Sequence, residues 1–244
     1  MSVSGASWVA AVSPVRNSNW VYREVLETYV APGMRWLDLG CGHQLLPSWM
    51  DDGDEASRRL VGRTRMVVGA DQVVSALRAH TTISHRVAAD SVGLPFRDGG
   101  FDLVTANMVV EHVDDPRGLL SEVRRVLVPG GLFLFHTPNR HFYQVSLSLL
   151  VPASLRRRAA RAIEHRPDED VFPTRYRMNT RRALLALAQA SDFRVVEFRF
   201  VNSSLAFERF GPIAAVERAI RRCLESPRFE RARSNLVVAF RRDR

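Results

Sequence analysis

Trp36-Leu37-Asp38-Leu39-Gly40-Cys41-Gly42 runs an apolar segment into a Gly-x-Gly turn, with a carboxylate just ahead of the first glycine. Neither glycine carries a Cβ, so the backbone can turn sharply there and approach a ligand closely. A dinucleotide site would need G-x-G-x-x-G, but Gln44 follows His43 and no glycine comes next. A carboxylate at this place suits an amine-bearing or cationic ligand better than a pyrophosphate. Farther along, Asp71 closes one short apolar run with Gln72 beside it, and Asp90 closes another with Ser91 beside it. Asp71 is placed to accept from two ribose hydroxyls and Asp90 from an adenine amino group. Taken singly, each Asp also reads as a helix N-cap or turn residue. Three acids at three successive strand ends fit one ligand better, an adenosyl group with a cationic tail. S-adenosylmethionine has that make-up, with an ammonium next to its sulfonium.

Such residues converge only if βα units position them. Residues 20–30 have helical spacing and Pro32-Gly33 ends them; Met34–Leu39 reads as the first strand. Leu45–Leu60 reads as a helix interrupted at Asp51-Asp52-Gly53-Asp54. Met66–Gly69 is a second strand, running on to Asp71, with a helix over Val73–Ala79 behind it; Arg86–Ala89 is a third strand and Phe101–Ala106 a fourth. Pro116–Leu127 is a helix with Leu119, Leu120, Val123, Val126 and Leu127 at core spacing, and Pro129-Gly130-Gly131 launches a fifth strand, Leu132–His136. Thr180–Ala190 is a further helix, and Phe193–Phe200 and Leu236–Phe240 alternate as the last two strands. The alternation predicts a doubly wound α/β fold with a mostly parallel sheet. Residues 140–178 fit no βα repeat and read as a lid or substrate-binding insertion after the fifth strand.

The ordered blocks Asp38-Leu39-Gly40-Cys41-Gly42, Gly69-Ala70-Asp71, Leu94-Pro95-Phe96, Phe101-Asp102-Leu103-Val104, Glu111-His112-Val113 and Arg125-Val126-Leu127-Val128-Pro129-Gly130-Gly131 resemble the class I S-adenosylmethionine-dependent methyltransferases, nearest to their type-11, ubiquinone/menaquinone methylase-like group. The resemblance covers roughly residues 33–139. It implies a seven-stranded Rossmann-like sheet with an antiparallel last strand. It also implies cofactor contacts at Asp38, Gly40, Cys41, Gly42, Asp71, Gln72, Asp90 and Ser91, with Asn107 lining the methyl-transfer pocket. Gln44 replaces a glycine common in the family, and residues 139–176 follow no shared pattern. A single domain is expected, with 33–139 as cofactor core, 140–178 as lid and 179–244 completing the sheet.

Methyl transfer to a hydroxyl needs a group to remove its proton. His112, just past the fourth strand, is the first candidate base, and His136 and His141 flank the end of the fifth; His112 also reads as a residue that packs beside the cofactor. Arg175, Tyr176 and His165 are candidate acceptor contacts or plain loop residues. No Asn/Asp-Pro-Pro-Tyr/Phe block follows the fourth strand and no Pro-Cys pair occurs, which argues against methylation of DNA bases.

All 35 basic residues other than histidine are Arg; residues 1–139 carry 13 Arg against 15 acids, and residues 140–244 carry 22 against 11. The positive field belongs to the second half, where it suits an anionic or lipid-linked acceptor, an anionic membrane surface, nucleic acid or solvated helix faces. The apolar run Phe142–Val151, followed by Arg156, Arg157, Arg158 and Arg161, reads as a lid helix or as an interfacial helix in peripheral membrane contact. The basic residues are scattered and no aromatic platform is interleaved with them, so nucleic acid is not the expected partner. RNA or protein methylation, and a non-catalytic binding protein on the same fold, are the alternatives. At 46% hydrophobic and 25% charged the 244-residue chain has a globular composition, and its two cysteines build neither a disulfide framework nor a zinc site. No run of eighteen apolar residues occurs, and the N-terminus has no basic stretch ahead of its apolar one, so neither a membrane span nor a secretory signal is expected and the cytoplasm is the expected setting.

Overall fold

Period-two alternation in the strands sends side chains to two separate cores. The computed structural model describes residues 17–150, 173–203 and 211–243, with the backbone alone at 148–150 and 211–214. In chain order the main elements are α1 (Ser18–Tyr29), β1 (Arg35–Leu39), α2 (Gly53–Arg63), β2 (Met66–Asp71), α3 (Val74–Ala79), β3 (His85–Ala88), β4 (Phe101–Asn107), α4 (Pro116–Val126), β5 (Leu127–Pro138), α5 (Tyr143–Leu150), α6 (Arg181–Ala190), β6 (Phe193–Val201), α7 (Gly211–Glu225) and β7 (Asn235–Arg242). The seven strands form one sheet in the order β3-β2-β1-β4-β5-β7-β6. Strands β1 to β5 are parallel, and β7 is antiparallel to both β5 and β6. The fold is therefore α/β, with the antiparallel last strand that the sequence implied.

On one face Leu37, Val104, Phe133, Phe135, Val238 and Phe240 pack with Leu119, Leu120 and Val123 of α4 and Leu184 and Ala188 of α6. On the other, Trp36, Leu103, Leu134 and Val237 pack with Tyr22, Val25 and Leu26 of α1 and Ala56 and Leu60 of α2. Burying both faces is what makes the central strands nearly continuous apolar runs.

Two boundaries differ from expectation. Residues 45–52 are turns, and α2 starts only at Gly53. Leu45, Leu46 and Met50 plug the core from that loop, while Asp52 is taken by Arg23 and Arg59 instead of capping the helix. Strand β5 begins at Leu127, pairing with Phe101 before a register shift lets it resume at Leu132 against Leu103. Helices α5 and α7 and the 3-10 turn Val110–His112 had no firm bounds in the sequence. The arginines at 156–161, His165 and the acidic run from Asp168 to Phe172 lie outside the described residues, as do residues 1–16.

Candidate active site

The strand order reverses between β1 and β4, and open α/β sheets bind ligands beyond the carboxyl ends of the strands at such a point. A cavity of about 800 Å³ opens there, within the roughly 300–1,000 Å³ typical of small-molecule sites. Its wall is made by the four loops that follow β1, β2, β3 and β4, together with Asp114, Asp115, Pro173 and Arg175.

The loop after β1 is stitched to the end of β2. Gly40 N donates to Ala70 O at 2.7 Å, and Gly42 N donates to Asp71 Oδ2 at 2.9 Å. Gly40 and Gly42 have φ of +61° and +55°, in the left-handed region that favours glycine. They are glycine for different reasons. A Cβ at Gly40 would stand 2.4 Å from Val109 Cγ2, whereas one at Gly42 would meet nothing within 4 Å. Gly42 thus leaves its backbone open toward the cavity. Cys41 also lines the cavity, but it is buried and its Sγ would stand 2.7 Å from a Cβ on Gly69; burial, with the charges of Asp38 and Asp71, pushes its thiol up.

Asp71 Oδ1 accepts from Val73 N at 2.8 Å, and Asp90 Oδ1 accepts from Val92 N at 3.2 Å. Both carboxylates therefore serve as turn residues while facing the cavity, beside Gln72 and Ser91. Each carboxylate keeps acceptor capacity for a ligand, at Asp90 on Oδ2, since its Oδ1 also accepts from Ser91 Oγ at 3.4 Å. Asp38 is placed otherwise. It is 4% exposed, is absent from the cavity wall, and accepts from Thr105 Oγ1 at 2.6 Å; Thr105 in turn accepts from the Trp36 indole at 2.6 Å. Burial, followed by the negative field of Asp71, raises its carboxyl to about 7, against the Thr105 hydrogen bond that lowers it.

The candidate bases separate as well. His112, on the 3-10 turn after β4, lines the cavity. His136 does not. It is 1% exposed, stacks on Tyr22 with centroids 5.7 Å apart, and contacts Asn107 Oδ1 at 2.8 Å through Nδ1 and Asn235 Nδ2 at 3.2 Å through Nε2. Asn107 Oδ1 can only accept and Asn235 Nδ2 only donate, so both ring nitrogens are occupied, and burial pushes the imidazole down to about 3. That corrects the expectation of a base at 136: the ring holds Asn107, which does line the cavity, and has no lone pair left for an acceptor. His141 is exposed and is not among the described residues that line the cavity.

Arg175 lines the cavity mouth and pairs with Asp114 at 3.0 Å, while Tyr176 is not in the wall; it sits at φ +53° and its N–H donates to Glu111 O at 3.0 Å. Arg175 N donates to the same carbonyl at 2.6 Å. Glu111, which the sequence offered only as part of a family block, thus ties residues 175 and 176 to the turn after β4. Its carboxylate is 2% exposed, accepts from Thr137 Oγ1 at 2.9 Å, and is raised by burial to about 7. Met108, Val109, His43, Asp114 and Asp115 also line the cavity and carried no sequence signal beyond adjacency to motif residues.

A nucleoside with a cationic tail fits this wall: an open glycine loop, acids after β2 and β3, and the amide of Asn107 after β4. A family model described as a methyltransferase domain matches residues 20–198. Over 135 residues the chain is 32% identical to a ubiquinone biosynthesis O-methyltransferase of Xanthomonas campestris, covering 53% of this chain and 52% of that one. It is 35% identical over 105 residues to a malonyl-[acyl-carrier protein] O-methyltransferase of Erwinia billingiae, covering 43% and 39% respectively. The chain spans about half the length, or less, of these curated relatives. A solved S-adenosylmethionine-dependent methyltransferase from Mesorhizobium loti shares the fold over 92% of this chain and 98% of that one, at TM-score 0.58 and 20% identity. The glycine loop, the acids at successive strand ends and the family match agree, and the chain belongs to the class I S-adenosylmethionine-dependent methyltransferases.

Proposed function

We propose that the chain transfers the methyl group of S-adenosylmethionine to a hydroxyl of a small-molecule acceptor that is anionic or linked to a lipid or glycan. One observation carries this reading: His112 and Arg175 line the same cavity as the glycine loop and the acids after β2 and β3. A proton acceptor and a cation therefore share one chamber with the cofactor residues. Gly40, Gly42, Asp71, Gln72, Asp90, Ser91 and Asn107 would hold the cofactor, with Asp38 acting through its field from behind the wall. S-adenosylmethionine, when bound, supplies an activated methyl on a sulfonium. The chain's own part is to align the acceptor and take its proton.

His112 suits that part. Its Nδ1 lies 3.4 Å from Pro173 O, a carbonyl that can only accept, which would place the ring proton on Nδ1. Glu111 Oε1 lies 4.0 Å from His112 Nε2. Arg175 can exchange its exposed partner Asp114 for an anionic group of the acceptor. Two relatives are named as O-methyltransferases, which favours oxygen as the methylated atom. For a lipid-linked acceptor, helix α5 offers Leu147 to solvent midway along the apolar run.

Methyl-labelled S-adenosylmethionine, offered with a phenolic acid and its neutral amide, tests the proposal. Label on the oxygen of the acid is expected, with the preference for the acid lost in Arg175→Gln. Label entering RNA or protein and no small molecule would overturn it. Flotation with anionic vesicles tests the lipid-linked form, which the absence of binding would remove.

A further inference from the structure

A second cleft, of about 420 Å³, lies at the opposite pole of the sheet and is lined by Arg35, Arg65, Met66, His85 and Arg97. These residues stand at the amino ends of three neighbouring strands. Arg35 begins β1 and pairs in register with Met66 of β2, while His85 begins β3 opposite Val68. Arg97 comes from the loop that leads into β4. That loop is rigid: Arg125 donates to Leu94 O at 2.9 Å and to Phe96 O at 2.6 Å, and pairs with Asp98 at 2.9 Å. Arg65 is fixed by its own N–H on Met34 O at 2.9 Å.

The charges do not balance. Arg35 is committed to Asp102, at 3.1 Å through Nε and 3.0 Å through a terminal nitrogen, and among the described residues no other acid reaches the cleft's arginines. The side chains of Arg65 and Arg97 make no hydrogen bond or ion pair with any described residue. Two unpaired guanidinium forks and an imidazole therefore converge on one concave space from rigid backbone. Guanidinium groups recognise phosphate oxygens in pairs of parallel hydrogen bonds. We propose that this cleft binds a phosphate-bearing anion of about the size of pyrophosphate, separately from the methyl-transfer cavity.

The test is calorimetry of pyrophosphate into the full chain saturated with S-adenosylhomocysteine, so that the cofactor cavity is closed to the probe. One site per chain is expected. The double variant Arg65→Glu/Arg97→Glu should weaken it at least tenfold, about 1.4 kcal/mol, with an unchanged circular dichroism spectrum because both positions are exposed. The variant Arg222→Glu/Arg228→Glu, which makes the same change of charge at exposed positions of α7 and the turn after it, should bind as the parent does. Orthophosphate and AMP run alongside separate an inorganic from a nucleotide source. No heat with any of the three, or equal losses in the two double variants, would overturn the proposal. So would tight binding of a single-stranded RNA that is lost in Arg65→Glu/Arg97→Glu, which would make the cleft a nucleic-acid contact.

Discussion

The carboxylate of Asp71 accepts the backbone N–H of Gly42 at 2.9 Å, which ties the end of β2 to the glycine loop after β1. Its second oxygen accepts from Val73 N at 2.8 Å. One side chain thereby shapes two of the four loops around the cavity while facing its interior. An amide in its place must turn its NH₂ toward one of those two donors. Asp71→Asn is expected to weaken S-adenosylhomocysteine binding by about tenfold to a hundredfold, on the order of 1–3 kcal/mol. Calorimetry measures this directly, and unchanged affinity would exclude Asp71 from the cofactor site.

The two glycines of the loop should fail in different ways. Gly40→Ala drives a Cβ to 2.4 Å from Val109 Cγ2 at a positive φ. A loss of about 2–4 kcal/mol of stability is expected, read as a lowered midpoint in urea. Gly42→Ala meets open space, so only the backbone strain of roughly 1 kcal/mol applies to the fold. Its larger effect should be on cofactor affinity, because the new methyl stands over the cavity. Equal destabilisation by both variants would contradict this division.

His112→Gln keeps a polar side chain of similar reach and removes the basic nitrogen. A fall in kcat of about 10²–10⁴-fold is expected for a hydroxyl acceptor, with S-adenosylhomocysteine affinity within a factor of about two. A parallel loss of cofactor affinity would make His112 a packing residue beside the cofactor instead.

Glu111 links pH to stability. Burial raises its carboxyl from 4.5 to about 7, so its contribution is fully present below about 4.5 and is lost as pH rises through 7. A buried carboxyl shifted this far can cost about 3 kcal/mol at most once ionised. Glu111's share of the thermal stability should therefore be lost between about pH 4.5 and pH 7.5, so the midpoint of Glu111→Gln, which cannot ionise, should rise relative to that of the parent across this range. Asp38, raised to the same value by burial, contributes in the same sense. His136 works from the acid side. Held down to about 3, it contributes stability that is present above 6.5 and fades as pH falls toward 3. A Glu111→Gln midpoint that runs parallel to the parent's across about pH 4.5–7.5 would remove Glu111 from this account.

Much of the scaffold was legible in the chain because it depends on local chemistry. Strands β1, β2 and β4 are short runs bounded by turn residues, and α4 shows its buried stripe Leu119, Leu120, Val123 and Val126 in sequence alone. Gly40 and Gly42, with the acids at 71 and 90, were legible for the same reason: a positive φ and a strand-end carboxylate are local requirements. The region 45–60 was not. Whether Leu45, Leu46 and Met50 lie on a helix or plug the core from a loop depends on what Arg23 and α1 place beside them, and no local pattern carries that.

The three histidines show where the sequence stops. By itself it set the order of βα units, the turn at Gly40–Gly42 and the strand-end carboxylates at 71 and 90, because backbone sterics and strand period act over a few residues. Tertiary structure alone decided that His112 meets the cavity, that His136 is locked between Asn107 and Asn235, and that His141 lies on the surface. Residues 107, 136 and 235 are brought together only by the pairing of β4, β5 and β7. A side chain's solvation and free lone pairs, and hence its chemistry, follow from neighbours that are remote in the chain.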